Sequence, residues 1–299
     1  MNFINKSIVR FVKILPKSIV YIFAKQYIAG VKLSDAIRVV KQLNANGILA
    51  TVDVLGESVE SKQDAINAAG EAIEVLNEID KNKLDANVSV KLTQLGLLLG
   101  EDFCYEQVAR IVGRAKELNN FVRIDMEDSP VTDATLRVYK RAKENFGNVG
   151  IVLQAYLRRT VSDIEKLNIE NAHYRLCKGI YVEPKEIAFK EKDEVRENYL
   201  EALNKIFDGG NYVGIATHDK YLTDRAQKII AERNLSKEQY EFQMLYGVTE
   251  KLRDQIKNNG HKMRVYVPFG EHWYPYSIRR LQENPTMAWY ITKSLFTRR

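Results

Sequence analysis

Short apolar runs rich in β-branched residues alternate along the chain with longer segments whose apolar residues recur every three or four positions. The short runs predict strands over 48–54, 88–92, 121–126, 149–156, 173–180, 212–216, 240–245 and 263–267. The longer segments predict helices over 58–80, 102–118, 131–145, 161–167, 184–208, 222–233, 248–258 and 274–282. This alternation predicts an α/β fold, a closed and distorted (β/α)8 barrel whose short last helix lies over the site. A six-stranded doubly wound sheet is the alternative.

The N-terminal residues 2–29 form a basic amphipathic stretch with five lysines and arginines and no acidic residue. Pro16 is expected to break it into two short helices, and residues 32–46 predict a third. The chain therefore divides into an N-terminal helical segment, 1–46, and a barrel domain, 47–299. The basic stretch either lies on an anionic membrane surface, where its removal would leave turnover intact, or packs against the barrel.

The composition of the chain restricts its cellular compartment and its partners. It has 299 residues, of which 45% are hydrophobic. Cys104 and Cys177 have no CxxC spacing, which favours neither a disulfide framework nor a zinc site and fits a reducing cytoplasm. The 39 acidic residues are spread among the 45 basic ones, so the net charge of +6 does not predict a nucleic-acid partner. No run of about 18 apolar residues predicts a transmembrane span.

Polar residues occupy the C-terminal ends of the predicted strands, where a parallel barrel carries its chemistry. They are Asp53, Lys91, Asp125, Gln154, Arg175, Lys178, Thr217, His218, Gln243, Tyr246 and Tyr266. The last helix adds Arg279 and Arg280, two guanidinium forks suited to a carboxylate or phosphate, and Glu283 on the same helical face can orient them. This cationic rim predicts an anionic small molecule, an anionic cofactor or both.

Several kinds of chemistry have no motif here. No rim serine or cysteine stands near a histidine as a nucleophile would require, and the four histidines lack metal-ligand spacing, so no metal is expected. Neither GxGxxG nor GxxxxGK[ST] occurs. Oxidation and anion binding remain, and oxidation by hydride loss requires a bound acceptor because no side chain takes a hydride.

Eight segments together resemble proline dehydrogenase, the flavin-dependent barrel enzyme of proline catabolism. They are VSVKL (88–92), IDMED (124–128), LQAY (153–156), RLCKGIY (175–181), ATH (216–218), EFQMLYG (241–247), RVYVPFG (264–270) and YSIRRLQEN (276–284). The resemblance covers about residues 45–290, and the spacing from Tyr266 to Arg279 is similar to that of the monofunctional bacterial enzymes. Cys177 departs from the family, which often has an aliphatic residue there.

The resemblance implies that FAD accepts a hydride at N5 from C5 of L-proline, giving Δ1-pyrroline-5-carboxylate in the first step of proline catabolism to glutamate. A quinone would take the electrons, at a cytoplasmic location with peripheral membrane contact. The implied substrate-binding residues are Lys91, Leu176, Tyr181, Tyr266, Arg279, Arg280 and Glu283. The implied cofactor-binding residues are Met126, Gln154, Arg175, Lys178, Gly179, Ile180, Thr217 and His218.

Asp125 and Arg175 are the catalytic candidates that the resemblance implies. Arg175 would bond to the isoalloxazine, whereas Asp125 would sit behind the site, either as a structural partner of Lys91 or Arg175 or as a proton carrier. Gln243 contacts either the cofactor or only neighbouring side chains.

Two other classes of function remain open. A barrel enzyme acting on a phosphorylated or other anionic molecule without flavin would show a Gly-rich phosphate loop after strand seven or eight, where this chain has YGVTE and PFGEH. A non-catalytic membrane-surface or nucleic-acid binder would use the basic N-terminus, but it would leave the rim residues unexplained.

Overall fold

Eight parallel strands close into a barrel in chain order, with the first strand hydrogen-bonded to both the second and the eighth. The fold is that of a computed structural model, which describes residues 17–56, 58–167 and 171–283. The strands are β1 (Leu49–Val54), β2 (Ala86–Val90), β3 (Val122–Ile124), β4 (Val149–Gln154), β5 (His173–Cys177), β6 (Tyr212–Ala216), β7 (Tyr240–Leu245) and β8 (Met263–Phe269). The predicted barrel is confirmed, and the doubly wound sheet is wrong.

Helices surround the barrel and precede it. They are α1 (Lys17–Ala24), α2 (Leu33–Ala45), α3 (Lys62–Lys81), α4 (Glu101–Glu117), α5 (Thr132–Phe146), α6 (Thr160–Leu167), α7 (Lys192–Asp208), α8 (Lys220–Glu232), α9 (Glu250–Asn258) and α10 (Trp273–Glu283). Side-chain caps begin two of them: Ser61 Oγ accepts from Asp64 N in α3, and Asp219 accepts from Tyr221 N in α8. No described helix is long and apolar enough to cross a membrane.

The strands have an apolar outer face and a polar inner face, because successive side chains alternate across a sheet. Outward residues such as Val88, Ile124 and Val265 are fully buried under the helices. Inward residues form hydrogen-bonded pairs instead, for example Thr51 Oγ1 to Asn87 Oδ1 at 2.6 Å. Buried polar groups are stable only when paired, so the barrel interior is a network rather than an apolar core.

Several predicted boundaries differ from the structure, and two of these differences lie around the loop between β5 and α7. The strand ends at Cys177 rather than at residue 180, because Gly179 has φ +102°, which no strand residue adopts. The helix begins at Lys192 rather than at residue 184, since residues 184–191 form a turn in which Phe189 N donates to Tyr156 O at 2.8 Å. The resulting long loop, 178–191, borders the C-terminal mouth of the barrel.

The described part of the basic N-terminal stretch packs on the barrel mouth. Ala24, Tyr27 and Ile28 are buried together with residues of the β1 and α10 ends, and Ala29 N donates to Pro268 O at 2.9 Å. Lys17 and Lys25 are exposed. Of the two readings of the stretch, packing is confirmed for residues 17–29, while 1–16 lie outside the described residues.

Candidate active site

The C-terminal ends of the strands surround a cavity of about 620 Å³. Most of the predicted site residues line it: Lys91, Asp125, Met126, Gln154, Arg175, Lys178, Gly179, Ile180, Tyr181, Thr217, His218 and Tyr266. They come from six different strands or their following loops. Closure of the barrel therefore gathers at one mouth residues that are up to 175 positions apart in the chain, from Lys91 to Tyr266.

Lys91 is the centre of an ionic cluster on one wall of the cavity. Its Nζ lies 2.7 Å from Asp53 Oδ1 and 3.6 Å from Asp125 Oδ2. Burial by itself lowers the pKa of Lys91, but these two carboxylates outweigh it and raise the pKa overall. Burial raises the pKa of Asp53 despite the opposing charge of Lys91. The ammonium of Lys91 is therefore a fixed positive charge inside the cavity.

Asp125 is held by the same cluster, because Tyr266 Oη donates to its Oδ2 at 2.7 Å. Its other oxygen, Oδ1, is buried and has no hydrogen-bond partner within the described ranges. The structure thus makes Asp125 a partner of Lys91, one of the two roles that the sequence left open. One oxygen of the carboxylate is therefore engaged in the cluster, while the other is a buried acceptor without a described partner.

Arg175 lines the cavity from β5. Its Nε donates to Gln243 Oε1 at 2.8 Å, and its guanidinium lies 5.5 Å from the centre of the Tyr266 ring. Gln243 therefore contacts neighbouring side chains, and its contact with the cofactor stays a prediction. On β4, Gln154 Nε2 donates to Glu127 O at 2.8 Å, which orients the Gln154 amide toward the loop after β3.

Thr217 and His218 follow β6, and hydrogen bonds hold both side chains in place. Thr217 Oγ1 accepts from Asp219 N at 3.1 Å. His218 Nε2 accepts from Leu245 N at 3.2 Å, so its Nδ1 carries the proton that faces Thr249 Oγ1 at 2.8 Å. The histidine ring is thereby fixed between the ends of β6 and β7.

Gly179 lets the loop after β5 turn along the cavity wall. Its φ of +102° is strained for any other residue, and a Cβ at this position would clash with the ring of Tyr156. Lys178 on the same loop lies 3.7 Å from Asp219 Oδ2. The path of residues 178–181 therefore depends on the glycine.

Gly179→Ala is expected to displace this loop and to weaken at least tenfold the binding of FAD, the cofactor that the sequence resemblance implies, since strain and clash together exceed about 1.4 kcal/mol. Titration of the ligand-free protein with FAD measures the loss. Gly147→Ala is the matched control, because Gly147 also has positive φ, +85°, but has no atom within 4 Å of the added Cβ. Equal FAD affinity in the two variants would contradict the role of Gly179.

Leu176 does not belong to the cavity wall, and its predicted contact with the substrate ring is corrected here. The side chain is fully buried in the hydrophobic core. Arg175 and Cys177 on either side of it face the cavity, so Leu176 must point to the helices. The sequence already indicated this, because successive residues of a strand such as β5 face opposite sides of the sheet.

The helix α10 carries the predicted Arg279, Arg280 and Glu283, but their side chains lie outside the described part of the structure. Two aromatic residues were not predicted and line the cavity, Tyr276 from α10 and Tyr27 from the N-terminal segment. Only the packing of that segment on the barrel brings Tyr27 there, so no local pattern identifies it.

Comparison with known proteins points to one family of sequences. A sequence model of the proline dehydrogenase family matches residues 36–291. Proline dehydrogenase 2 of Bacillus subtilis (strain 168) is 38% identical over 272 residues, 91% of this chain and 90% of the relative. The proline dehydrogenase of Deinococcus radiodurans is 33% identical over 277 residues, 91% of this chain and 89% of the relative.

Among solved structures, proline utilization A (PutA) of Bdellovibrio bacteriovorus, inactivated by N-propargylglycine, has a similar fold, with a TM-score of 0.82 and 26% identity. The match covers 87% of this chain but only 32% of that longer protein. Family model, full-length relatives and barrel geometry agree: the chain belongs to the proline dehydrogenase family.

Proposed function

We propose that the protein oxidises L-proline to Δ1-pyrroline-5-carboxylate with FAD as the hydride acceptor. The observation that carries the proposal is the cavity in which the ammonium of Lys91 and the guanidinium of Arg175 line one space. Membership of the proline dehydrogenase family supports the substrate and the reaction. Fixed cations suit the carboxylate of an amino acid and the phosphates of a dinucleotide.

The residues of the cavity fit FAD. Its volume of about 620 Å³ is typical of cofactor and small-molecule sites. Met126 and Met244 provide apolar wall for a flat ring system, while Arg175, Lys178 and Thr217 provide donors for ring acceptors and phosphate. Gln154, Gly179, Ile180 and His218 complete the proposed cofactor site. When bound, FAD would accept the hydride that leaves C5 of proline.

The residues of the chain bind and orient the substrate. Lys91, fixed by Asp53, would hold the proline carboxylate together with Arg279 and Arg280, which Glu283 would orient. Tyr181 and Tyr266 would pack on the pyrrolidine ring. Proline must lose its ammonium proton before the hydride leaves, and the cations of the cavity favour the neutral amine. Most of the rate enhancement then comes from positioning C5 against the acceptor.

The electron acceptor that we propose for the reduced enzyme is a quinone, and the proposed location is cytoplasmic with peripheral contact to the membrane. The resemblance of the eight segments supports the quinone. Basic residues 2–16 and the exposed Lys17 and Lys25 support attraction to anionic lipid.

The function is tested by adding FAD to the purified protein and recording its visible spectrum. We expect an absorption band at about 450 nm. The band should bleach when L-proline is added in the absence of oxygen, because the flavin is reduced. It should remain when D-proline is added instead. Trapping of the cyclic imine product measures turnover. A protein that takes up no flavin would contradict the proposal and favour a flavin-free barrel enzyme that acts on a phosphorylated molecule.

A further inference from the structure

A line of hydrogen bonds runs from the cavity into the barrel interior. Arg175 Nε donates to Gln243 Oε1 at 2.8 Å, and Gln243 Nε2 donates to Glu241 Oε1 at 2.6 Å. The same Glu241 oxygen accepts from Arg264 Nε at 2.6 Å, and Arg264 Nη1 donates to Ala50 O at 2.7 Å. These bonds join β5, β7, β8 and β1. Arg175 is therefore anchored to the opposite side of the barrel.

A glycine makes this connection possible. The strand pairing places Gly214 of β6 between Arg175 of β5 and Glu241 of β7. A Cβ at Gly214 would lie 2.8 Å from Gln243 Cδ and would clash with its amide nitrogen. Because β6 carries no side chain at this position, Gln243 can cross it and reach Arg175. The space that Gly214 leaves is filled by the Gln243 amide.

Charge decides which way the Gln243 amide points. Glu241 and Gln243 are only 2% and 4% exposed, so water does not compete for their hydrogen bonds. Burial by itself raises the pKa of Glu241, but Arg264 and the hydrogen bonds outweigh it and lower the pKa. The carboxylate is thus ionised and requires the NH2 of Gln243, which turns the carbonyl oxygen toward Arg175.

The terminal nitrogens of Arg175 are left for a bound molecule. Neither makes a hydrogen bond to a residue that the structure describes, and neither is a buried unsatisfied atom. Arg175 lines the cavity, while its Nε is held by Gln243 from the barrel interior. One fixed bond at Nε determines the plane of the guanidinium, because the group is rigid and planar.

We propose that Gln243, oriented by the Glu241–Arg264 ion pair, is a positioning residue that sets the guanidinium of Arg175 for the reacting groups in the cavity. The identity of those groups rests on the proposed function. Hydrogen bonds to a charged group affect equilibria and rates by about 10- to 100-fold, so the loss of this bond should be measurable. Gly214 contributes to this arrangement, because the absence of a side chain there leaves room for the Gln243 amide.

The first measurement uses the ligand-free protein labelled with [15N]arginine. The Nε–H of Arg175, assigned by its absence in Arg175→Lys, is expected to exchange slowly with water in the wild type. Gln243→Leu is expected to make it exchange at least tenfold faster, since no acceptor remains. Gln243→Glu keeps an acceptor oxygen for Arg175 but loses the donor to Glu241, so its exchange rate is expected to lie between those of the wild type and Gln243→Leu.

The second measurement is steady-state oxidation of proline by the FAD-loaded protein. Gln243→Leu is expected to lower kcat by about 10- to 100-fold with little change in KM, because the carboxylate site around Lys91 is untouched. Gly214→Ala, which removes no polar group, is expected to have the same direction of effect. If Gln243→Leu fails to fold, Gly214→Ala still tests the proposal, because it keeps every hydrogen-bonding group.

Gln107→Leu is the matched control. Gln107 on α4 is also buried, 4% exposed, and its Oε1 accepts from Arg110 Nη1 at 2.6 Å, but it does not line the cavity. We expect the control to lower the melting temperature without changing Arg175 exchange or kcat. Unchanged exchange of Arg175 Nε–H in Gln243→Leu would overturn the proposal. This test does not depend on the proposed function, because it uses the ligand-free protein.

Discussion

Lys91→Met is expected to lower kcat/KM for proline by at least about 100-fold. Lys91 is 2.7 Å from Asp53 and 3.6 Å from Asp125, and its removal leaves both carboxylates in the cavity without their cation. Losing one partner of a buried ion pair typically costs about 3 to 5 kcal/mol. The remaining negative charge would also repel the carboxylate of proline. Steady-state kinetics of the FAD-loaded variant measure the effect, which we expect mainly in KM.

Lys262→Met is the control for this change, because Lys262 forms an ion pair with Glu238 at 2.8 Å on the protein surface. Such exposed pairs contribute about 0 to 1 kcal/mol, so kcat/KM should remain near the wild-type value. Equal kinetics in the two variants would contradict the role of Lys91 as the cation of the substrate site.

The stability of Lys91→Met should depend on pH in a defined direction. Burial raises the pKa of Asp53 above its usual 3.8, and Lys91 opposes that increase. Without Lys91 the pKa of Asp53 in the folded protein rises further, so protonation of Asp53 favours folding. The variant should therefore gain stability relative to wild type as pH falls through the raised folded-state pKa of Asp53 and lose it as pH rises above that pKa. Thermal unfolding at several pH values measures this.

Removal of residues 1–30 is expected to abolish FAD uptake and proline oxidation. Val20 and Ile28 are each 1% exposed in their packing against the barrel, and burial of two such side chains contributes about 3 to 6 kcal/mol. Tyr27 lines the cavity itself. The expectation that turnover survives loss of the basic stretch, which followed from the membrane-surface reading, is therefore replaced by the opposite one.

A point substitution tests the same contact without shortening the chain. Gly247 follows β7 with φ +71°, and a Cβ there would clash with the carbonyl oxygen of Gln26. Gly247→Ala is expected to displace Tyr27 and to weaken FAD binding. Gly210→Ala is the control, because Gly210 has φ +67° and no atom within 4 Å of the added Cβ. If both variants bind FAD equally, the N-terminal segment does not shape the site.

The barrel itself followed from local pattern, because strands and helices have different periods and a parallel barrel places its chemistry at one end of every strand. The positions of Lys91, Arg175 and Tyr266 in the cavity are consequences of that rule. The rule also excludes Leu176, since adjacent residues of β5 face opposite sides of the sheet. The prediction of the C-terminal end of β5 was less accurate, because the conformation of Gly179 depends on the ring of Tyr156.

The sequence by itself thus determined the order of the strands, the mouth of the barrel and most of the residues that line it, because these depend on the period and succession of neighbouring residues. Only the tertiary structure decided that Tyr27 joins the cavity and that Gln243 reaches Arg175, 68 positions away. Both contacts depend on strand register and on the space left by a glycine, Gly247 or Gly214. Such spaces exist only once distant segments have packed together.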